Sequence, residues 1–227
     1  MDMADKWKKK ALLVIDMQKD FILEDGLMRV DGGEAIVPNV IEAVEVARRR
    51  GMLIVWVVRE HDPLGRDVEL FRRHMYGAGK VGPTSKGSVG AELVDGLVIH
   101  EGDYKVVKTR FSAFFATNLH FFLQTEGIDS VVIIGVQTPN CVRQTVFDAV
   151  ELDYKSVTVI VDATAAATPE VHMATVCAPY ALIHISQGDV HSALFSCCMD
   201  CYVNVAYAAT VCILLSAFCP VDGITLM

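Results

Sequence analysis

Up to about residue 176, hydrophobic and polar positions alternate between two textures. Short, nearly unbroken apolar runs recur: ALLVID (11–16), LIVWVV (53–58), the weaker YKVVK (104–108), SVVIIG (130–135) and SVTVIVD (156–162). A run of this length, bounded by polar or glycine positions, reads as a strand buried on both faces of a parallel sheet. Segments with helical period lie between the runs. Within 37–51, Ile41, Val44 and Ala47 or Arg48 recur at helical spacing, Pro38 stands near the start, and Gly51 follows three arginines that suit a helix C-terminus. Residues 115–127 predict another helix, closed by Gly127, and residues 141–154 a further one with Val142, Val146, Ala149 and Val150 on one face. The stretch 59–90 is mixed and glycine-rich, with a helical turn expected at 67–75. Strands alternating with helices predict an α/β fold, its sheet largely parallel and covered on both faces.

The texture changes after residue 176. All 20 Lys and Arg precede that point, whereas residues 177–227 carry only Asp189, Asp200 and Asp222 as acidic groups, together with six of the seven cysteines. The chain therefore divides into a domain, 1–176, and an atypical apolar, cysteine-rich tail, 177–227. About 20 uncharged residues suffice to span a bilayer, and none is charged from Cys201 to Val221. Asn204 and several small polar residues dilute that run, however, and no Lys or Arg flanks it, so a membrane anchor is not expected. Cys197, Cys198 and Cys201 are too cramped for a zinc site. An abrupt break of this kind is what intron retention or a shifted reading frame produces, and the tail reads as an ending foreign to the domain.

The net charge of −8 argues against a nucleic-acid partner. The apolar run before Asp16 is too short for a signal-peptide core, so the expected location is cytoplasmic. A disulfide framework would be spread through the fold it staples, and Cys141 is the lone cysteine of the first 176 residues.

In open α/β sheets, ligands bind beyond the carboxyl ends of the strands. Asp16 ends the first apolar run, Lys108 ends the third, and Cys141 opens the helix after the fourth. If those strands are neighbours, the three side chains meet in one crevice. A free thiol, with a pKa of about 8.5, is only slightly ionised at neutral pH. A nearby ammonium and a helix N-terminus both favour the anion, which predicts a lowered thiol pKa. Asp16 is then placed to take the thiol proton and return it to a leaving amine, with backbone N–H groups before the helix holding an oxyanion. The chemistry is acyl transfer through a thioester, followed by hydrolysis. Each residue alone has a plainer reading: buried hydrophobe for Cys141, cap or ion-pair partner for Asp16, solvated strand end for Lys108.

The stretches ALLVIDMQKDF, KTRFSAF and GVQTPNCVRQTVFDAVELDY, in that order, resemble the isochorismatase-like cysteine hydrolases, most closely their plant nicotinamidase-like members. The resemblance spans about residues 11–174. It implies a Rossmann-like sheet of strand order 3-2-1-4-5-6 and an Asp–Lys–Cys triad, here Asp16, Lys108 and Cys141. It also implies a cis peptide between Val136 and Gln137, an oxyanion hole from the N–H groups of Gln137 and Cys141, and a turn braced by Thr138 and Asn140. Homo-oligomers are common in the family, so the resemblance allows one here without fixing the oligomeric state.

Two departures from the family pattern matter. Metal-binding nicotinamidases carry Asp-x-His after the second strand. Here Arg59 stands in the aspartate position before His61, and Pro83 stands where a later His would be. A guanidinium is no metal ligand, so no catalytic metal and no cofactor are expected, and nicotinamide is doubtful as substrate. Arg59 is read either as a surface residue paired with Glu60 or Asp62, or as a group that binds a substrate carboxylate. His61, His74 and His120 are read as structural or solvated. The second departure is the ending: the last edge strand of the family is expected to be missing or replaced, with 180–186 as the substitute.

The sequence thus predicts a metal-independent cysteine hydrolase that cleaves a C–N bond in a small amide or ureido compound. Phe21, Trp56, Arg59, Phe111, Phe114 and Thr138 are the candidate substrate-binding residues. Vinyl-ether hydrolysis of an isochorismate-like acid, and a non-catalytic or defective isoform created by the altered ending, are the alternatives.

Overall fold

The computed structural model describes residues 7–77, 79–177 and 184–186. Its centre is a six-stranded sheet, all pairings parallel, in the order β3-β2-β1-β4-β5-β6. The strands are β1 (Lys10–Ile15), β2 (Leu53–Arg59), β3 (Tyr104–Lys108), β4 (Ser130–Val136), β5 (Ser156–Ala165) and β6 (His184–Ser186). β1 and β4 are buried along their whole length, as expected of central parallel strands. β6 pairs with β5 from Thr158 to Ile160, so the chain beyond residue 176 does supply an edge strand. Residues 180–183 and the tail after 186 lie outside the described residues.

Helices cover both faces. Leu12, Val14, Ile54, Trp56, Val132 and Ile134 form one core with α2 (Val37–Arg49), which contributes Val40, Ala43, Val44 and Ala47. Leu13, Ile15, Val55, Val57, Val106 and Ile133 form the other, with α3 (Leu119–Thr125) and α4 (Arg143–Glu151). The alternation of the strands decides the split, since successive side chains point to opposite faces. A short helix α1 (Lys19–Ile22) follows β1, and α5 (Pro169–Cys177) follows β5.

Three predicted helices are shorter than their sequence patterns. Residues 115–118 do not join α3, because Ala116 takes a left-handed φ of 55° that no α-helix accommodates. In 67–75, Glu69 is extended and only Leu70–Met75 coil, as a 3-10 helix. The segment from 141 opens with a wide π turn, Thr138–Val142, before α4 begins. Cys141 therefore sits inside that turn instead of at the first position of an α-helix.

Candidate active site

The strand ends converge. Parallel register aligns Arg59 of β2 with Lys108 of β3, and Ile15 of β1 with Val57 and Gly135. Asp16 follows β1, and the pleat alone would send it to the α2 face beside Val14. Its φ of 52° breaks the alternation, a left-handed conformation that Asp tolerates better than most residues, while its N–H still donates to Val57 O at 2.8 Å. Gly135 passes so close to β1 that a Cβ there would collide with the Ile15 carbonyl oxygen, and its φ of 109° also calls for glycine.

Lys108 Nζ lies 2.7 Å from Asp16 Oδ2 and 3.3 Å from Cys141 Sγ, and it also donates to Arg110 O at 3.2 Å. Asp16 and Lys108 are 1% exposed and Cys141 6%. Among the described residues Asp16 Oδ1 has no hydrogen-bond partner, which leaves a buried acceptor open in the site.

Burial pushes the Cys141 thiol above its ordinary pKa. The Asp16 carboxylate adds to that, and the two together outweigh the opposing cations Lys108 and Arg59. The expectation of a lowered thiol pKa is therefore corrected: it counted the ammonium and omitted both desolvation and the adjacent anion. At rest the sulfur keeps its proton.

Arg59 is no surface residue. It is 1% exposed and extends into the same site, with Nη1 and Nη2 each 3.2 Å from Glu69 Oε1, Nε 3.7 Å from Asp16 Oδ2 and Nη2 3.9 Å from Cys141 Sγ. The paired-surface reading fails because its proposed partners are engaged elsewhere: Glu60 with Lys105, and Asp62 with Arg66. Burial works against the Arg59 cation, but the Cys141 sulfur once ionised, with the Asp16 and Glu69 carboxylates, outweighs it and holds the pKa above the usual arginine value. Its backbone is clamped by Gln18, whose Oε1 accepts from Arg59 N and whose Nε2 donates to Arg59 O, both at 2.7 Å. The guanidinium lies 5.5 Å from the Phe111 ring centre, and Arg72 lies 5.4 Å from the same ring.

The residues do not fit a metal. Arg59 supplies no lone pair. His61 has Nε2 3.3 Å from Arg59 Nη1 and Nδ1 3.3 Å from Asp67, and burial, then Arg59, depress its pKa. Among the described residues no three His, Cys, Asp or Glu side chains are grouped to hold an ion. His120 bonds the Tyr154 hydroxyl at 3.2 Å, and His74 is exposed.

The turn that carries Cys141 is fastened on several sides. The peptide between Val136 and Gln137 is cis, as the resemblance implies. Asn140 Nδ2 donates to Gln137 Oε1 at 3.0 Å, and Thr138 Oγ1 meets His172 Nδ1 of α5 at 2.8 Å. Thr145 Oγ1 donates to Cys141 O at 2.7 Å and accepts from Ala113 N at 3.0 Å, tying the chain beyond β3 to the turn.

The expected apolar walls separate. Phe111 lies at the site beneath Arg59. Phe114 is buried in the α3/α4 core against Tyr154. Trp56 points to the opposite face, where Nε1 donates to Asp103 at 2.8 Å and the ring borders a separate cleft with Ile41, Val44 and His100. Phe21 packs into that same α2-side core. Sequence reasoning missed Glu69, Arg72, Gln18, Thr145 and His172. Alternation along β2 carried a signal for Arg59 itself, since 55, 57 and 59 share the face that Cys141 joins.

The isochorismatase domain family matches residues 10–177. The chain is 70% identical over 175 residues to a protein of Arabidopsis thaliana named "Probable inactive nicotinamidase", covering 77% of this chain and 89% of that one. Among solved structures, an isochorismatase family protein from Desulfovibrio vulgaris superposes with a TM-score of 0.78 at 36% identity, over 83% of this chain and 98% of that chain. N-carbamoylsarcosine amidase from Thermoplasma acidophilum superposes with a TM-score of 0.66 at 30% identity, over 79% and 96%.

Proposed function

This chain belongs to the isochorismatase family, and on that premise we propose that it is a cysteine hydrolase that splits the C–N bond of a small amide or ureido compound through a thioester. The observation that carries the proposal is the convergence of Asp16, Lys108 and Cys141, with Lys108 Nζ 2.7 Å from the carboxylate and 3.3 Å from the sulfur.

With the thiol protonated at rest, Asp16 acts as general base at the moment of attack. As Sγ bonds to the carbonyl carbon, its proton passes to Asp16 and the carbonyl electron pair moves onto oxygen. The N–H groups of Gln137 and Cys141 hold that oxyanion. Collapse expels the amine, which leaves with the proton from Asp16. A water then gives a proton to Asp16 and attacks the thioester, and the displaced sulfur recovers that proton. Lys108 holds the Asp16 carboxylate beside the sulfur and lowers the cost of charge on sulfur in the transition state. A small-molecule carbonyl is the substrate, and no step runs through a metal.

Arg59 in place of a metal-ligating aspartate disfavours nicotinamide. A second reading has an observation of its own: the relative at 70% identity carries the word inactive in its name. In that reading the chain keeps the fold without turnover. One experiment separates the two. The full chain is incubated with a panel of amides and ureido acids beside Cys141→Ser, with ammonia release and the intact mass of Cys141 as readouts. A substrate-dependent acyl adduct on Cys141, absent from the serine variant, is expected. Ammonia release at equal rates from both proteins, or from neither across the panel, rejects the hydrolase.

A further inference from the structure

We propose that the site admits a short substrate bearing a carboxylate beside its scissile carbonyl, and that this carboxylate takes the place Glu69 holds on Arg59. The inference takes its scissile carbonyl from the hydrolase reading above and adds the substrate class.

Arg59 is a buried cation, and a buried cation requires an anion beside it. Its position is fixed twice over, by the end of β2 and by the two Gln18 bonds to its backbone. Its anion is not fixed in that way. Glu69 comes from the long connector between β2 and β3, one residue before the 3-10 helix at Leu70–Met75, where Leu70 and Phe71 are exposed. Its hold on Arg59 is loose. A single oxygen, Oε1, serves both guanidinium nitrogens at 3.2 Å, and Oε2 has no hydrogen bond. A carboxylate matched to a guanidinium makes two parallel bonds of about 2.7–2.9 Å. Glu69 occupies the anion position without the geometry that would make it permanent.

A second cation waits for Glu69. Arg72 Nη1 is 3.7 Å from Oε2, close enough to retain the carboxylate once Arg59 is given up. Arg59, Arg72 and Lys108 form ion pairs with Asp16 and Glu69, three cations to two anions in this network, and Asp67 lies further out on His61. An arriving carboxylate balances the surplus, which a neutral amide leaves untouched. Phe111, beneath both guanidinium groups, gives the exchange a flat apolar floor.

The geometry also limits length. Arg59 Nη2 is 3.9 Å from Sγ. A carboxylate in hydrogen bond with that nitrogen and a carbonyl carbon roughly 3–3.5 Å from sulfur leave room for about one or two connecting atoms. Malonamate and succinamate have this form, and malonamide and succinamide are their neutral counterparts of nearly equal shape.

Calorimetric titration of the full-length Cys141→Ser chain with these four compounds tests the exchange without turnover. Each acid is expected to bind at least tenfold more tightly than its diamide. Glu69→Gln added to that chain should tighten the acids a further tenfold and leave the diamides within threefold, while Arg59→Gln erases the preference. Equal binding of acid and diamide, or no binding of either at millimolar probe, overturns the proposal. If Glu69→Gln does not melt cooperatively, the acid-to-diamide ratio with Glu69 intact decides alone. An acid preference that follows Glu69, with no ammonia released by the unsubstituted chain, keeps this inference and rejects the hydrolase. Ammonia release from the diamides with no acid preference does the reverse.

Discussion

Two ion pairs reach the Cys141 sulfur, Asp16 with Lys108 and Arg59 with Glu69, and they are held by different parts of the chain. Both members of the first pair are anchored at strand ends, Asp16 just after β1 and Lys108 at the end of β3, on either side of β2, and they meet at 2.7 Å. In the second pair only Arg59 is anchored that way. Its carboxylate partner comes from the connector and meets it at 3.2 Å. Parallel register fixes the first pair as firmly as the core itself, because moving either member means moving a strand. The second pair needs only a loop to shift. The difference separates two kinds of support: strand ends hold Asp16, Lys108 and Arg59, and the connector supplies the anion beside Arg59.

Substitutions test that contrast directly. The largest effect is expected from Lys108→Met, which strands the Asp16 carboxylate with Arg59 3.7 Å away as the nearest remaining cation. Denaturant unfolding should show a loss of about 3–5 kcal/mol. Thr145→Val comes next. It leaves Ala113 N and Cys141 O without the hydroxyl they share, and unfolding free energy should fall by about 1–3 kcal/mol.

The thiol provides a pH test of the first pair. Its folded pKa lies above the unfolded value, so the native state retains a proton that the unfolded state gives up. The stabilisation is whole below about pH 8.5 and declines as pH rises through the folded pKa, by at most about 1.4 kcal/mol per unit, as measured by unfolding across pH 7–10 beside Cys141→Ala. Iodoacetamide should label Cys141 slowly at neutral pH and faster only above that range. The smallest change is expected for Glu69→Gln, about 1 kcal/mol or less in unfolding free energy, since the amide keeps one acceptor and Arg59 keeps Asp16. A cost matching that of Lys108→Met would show the two pairs to be equally rigid and would erase the contrast.

Much of this was legible in the chain. Parallel strands buried on both faces have to be apolar along their length, and β1, β2, β4 and β5 read as such runs. The meeting of Asp16, Lys108 and Cys141 was legible because strand ends in such a sheet share one rim. Arg59 was misread through its neighbours. Glu60, His61 and Asp62 look like surface, yet the pleat carries 59 to the face of Val55 and Val57 and takes Trp56 to the other. The same rule fails at Asp16, where one left-handed residue undoes the alternation. Glu69 had no local signal, because ten positions of irregular chain separate it from Arg59 and only tertiary folding brings them together. The direction of the thiol shift was out of reach as well, since it depends on burial of the sulfur among charges that the sequence does not rank.

The bond between Thr138 and His172 has a consequence for how such a protein can vary. His172 stands little more than one helical turn before the point where the amino-acid usage changes. Asp16, Lys108 and Cys141 all lie upstream, but one fastening of the Cys141 turn lies beside that change. A different ending joined there would leave those three residues in place and change the support of the last helix, and with it the steadiness of the sulfur.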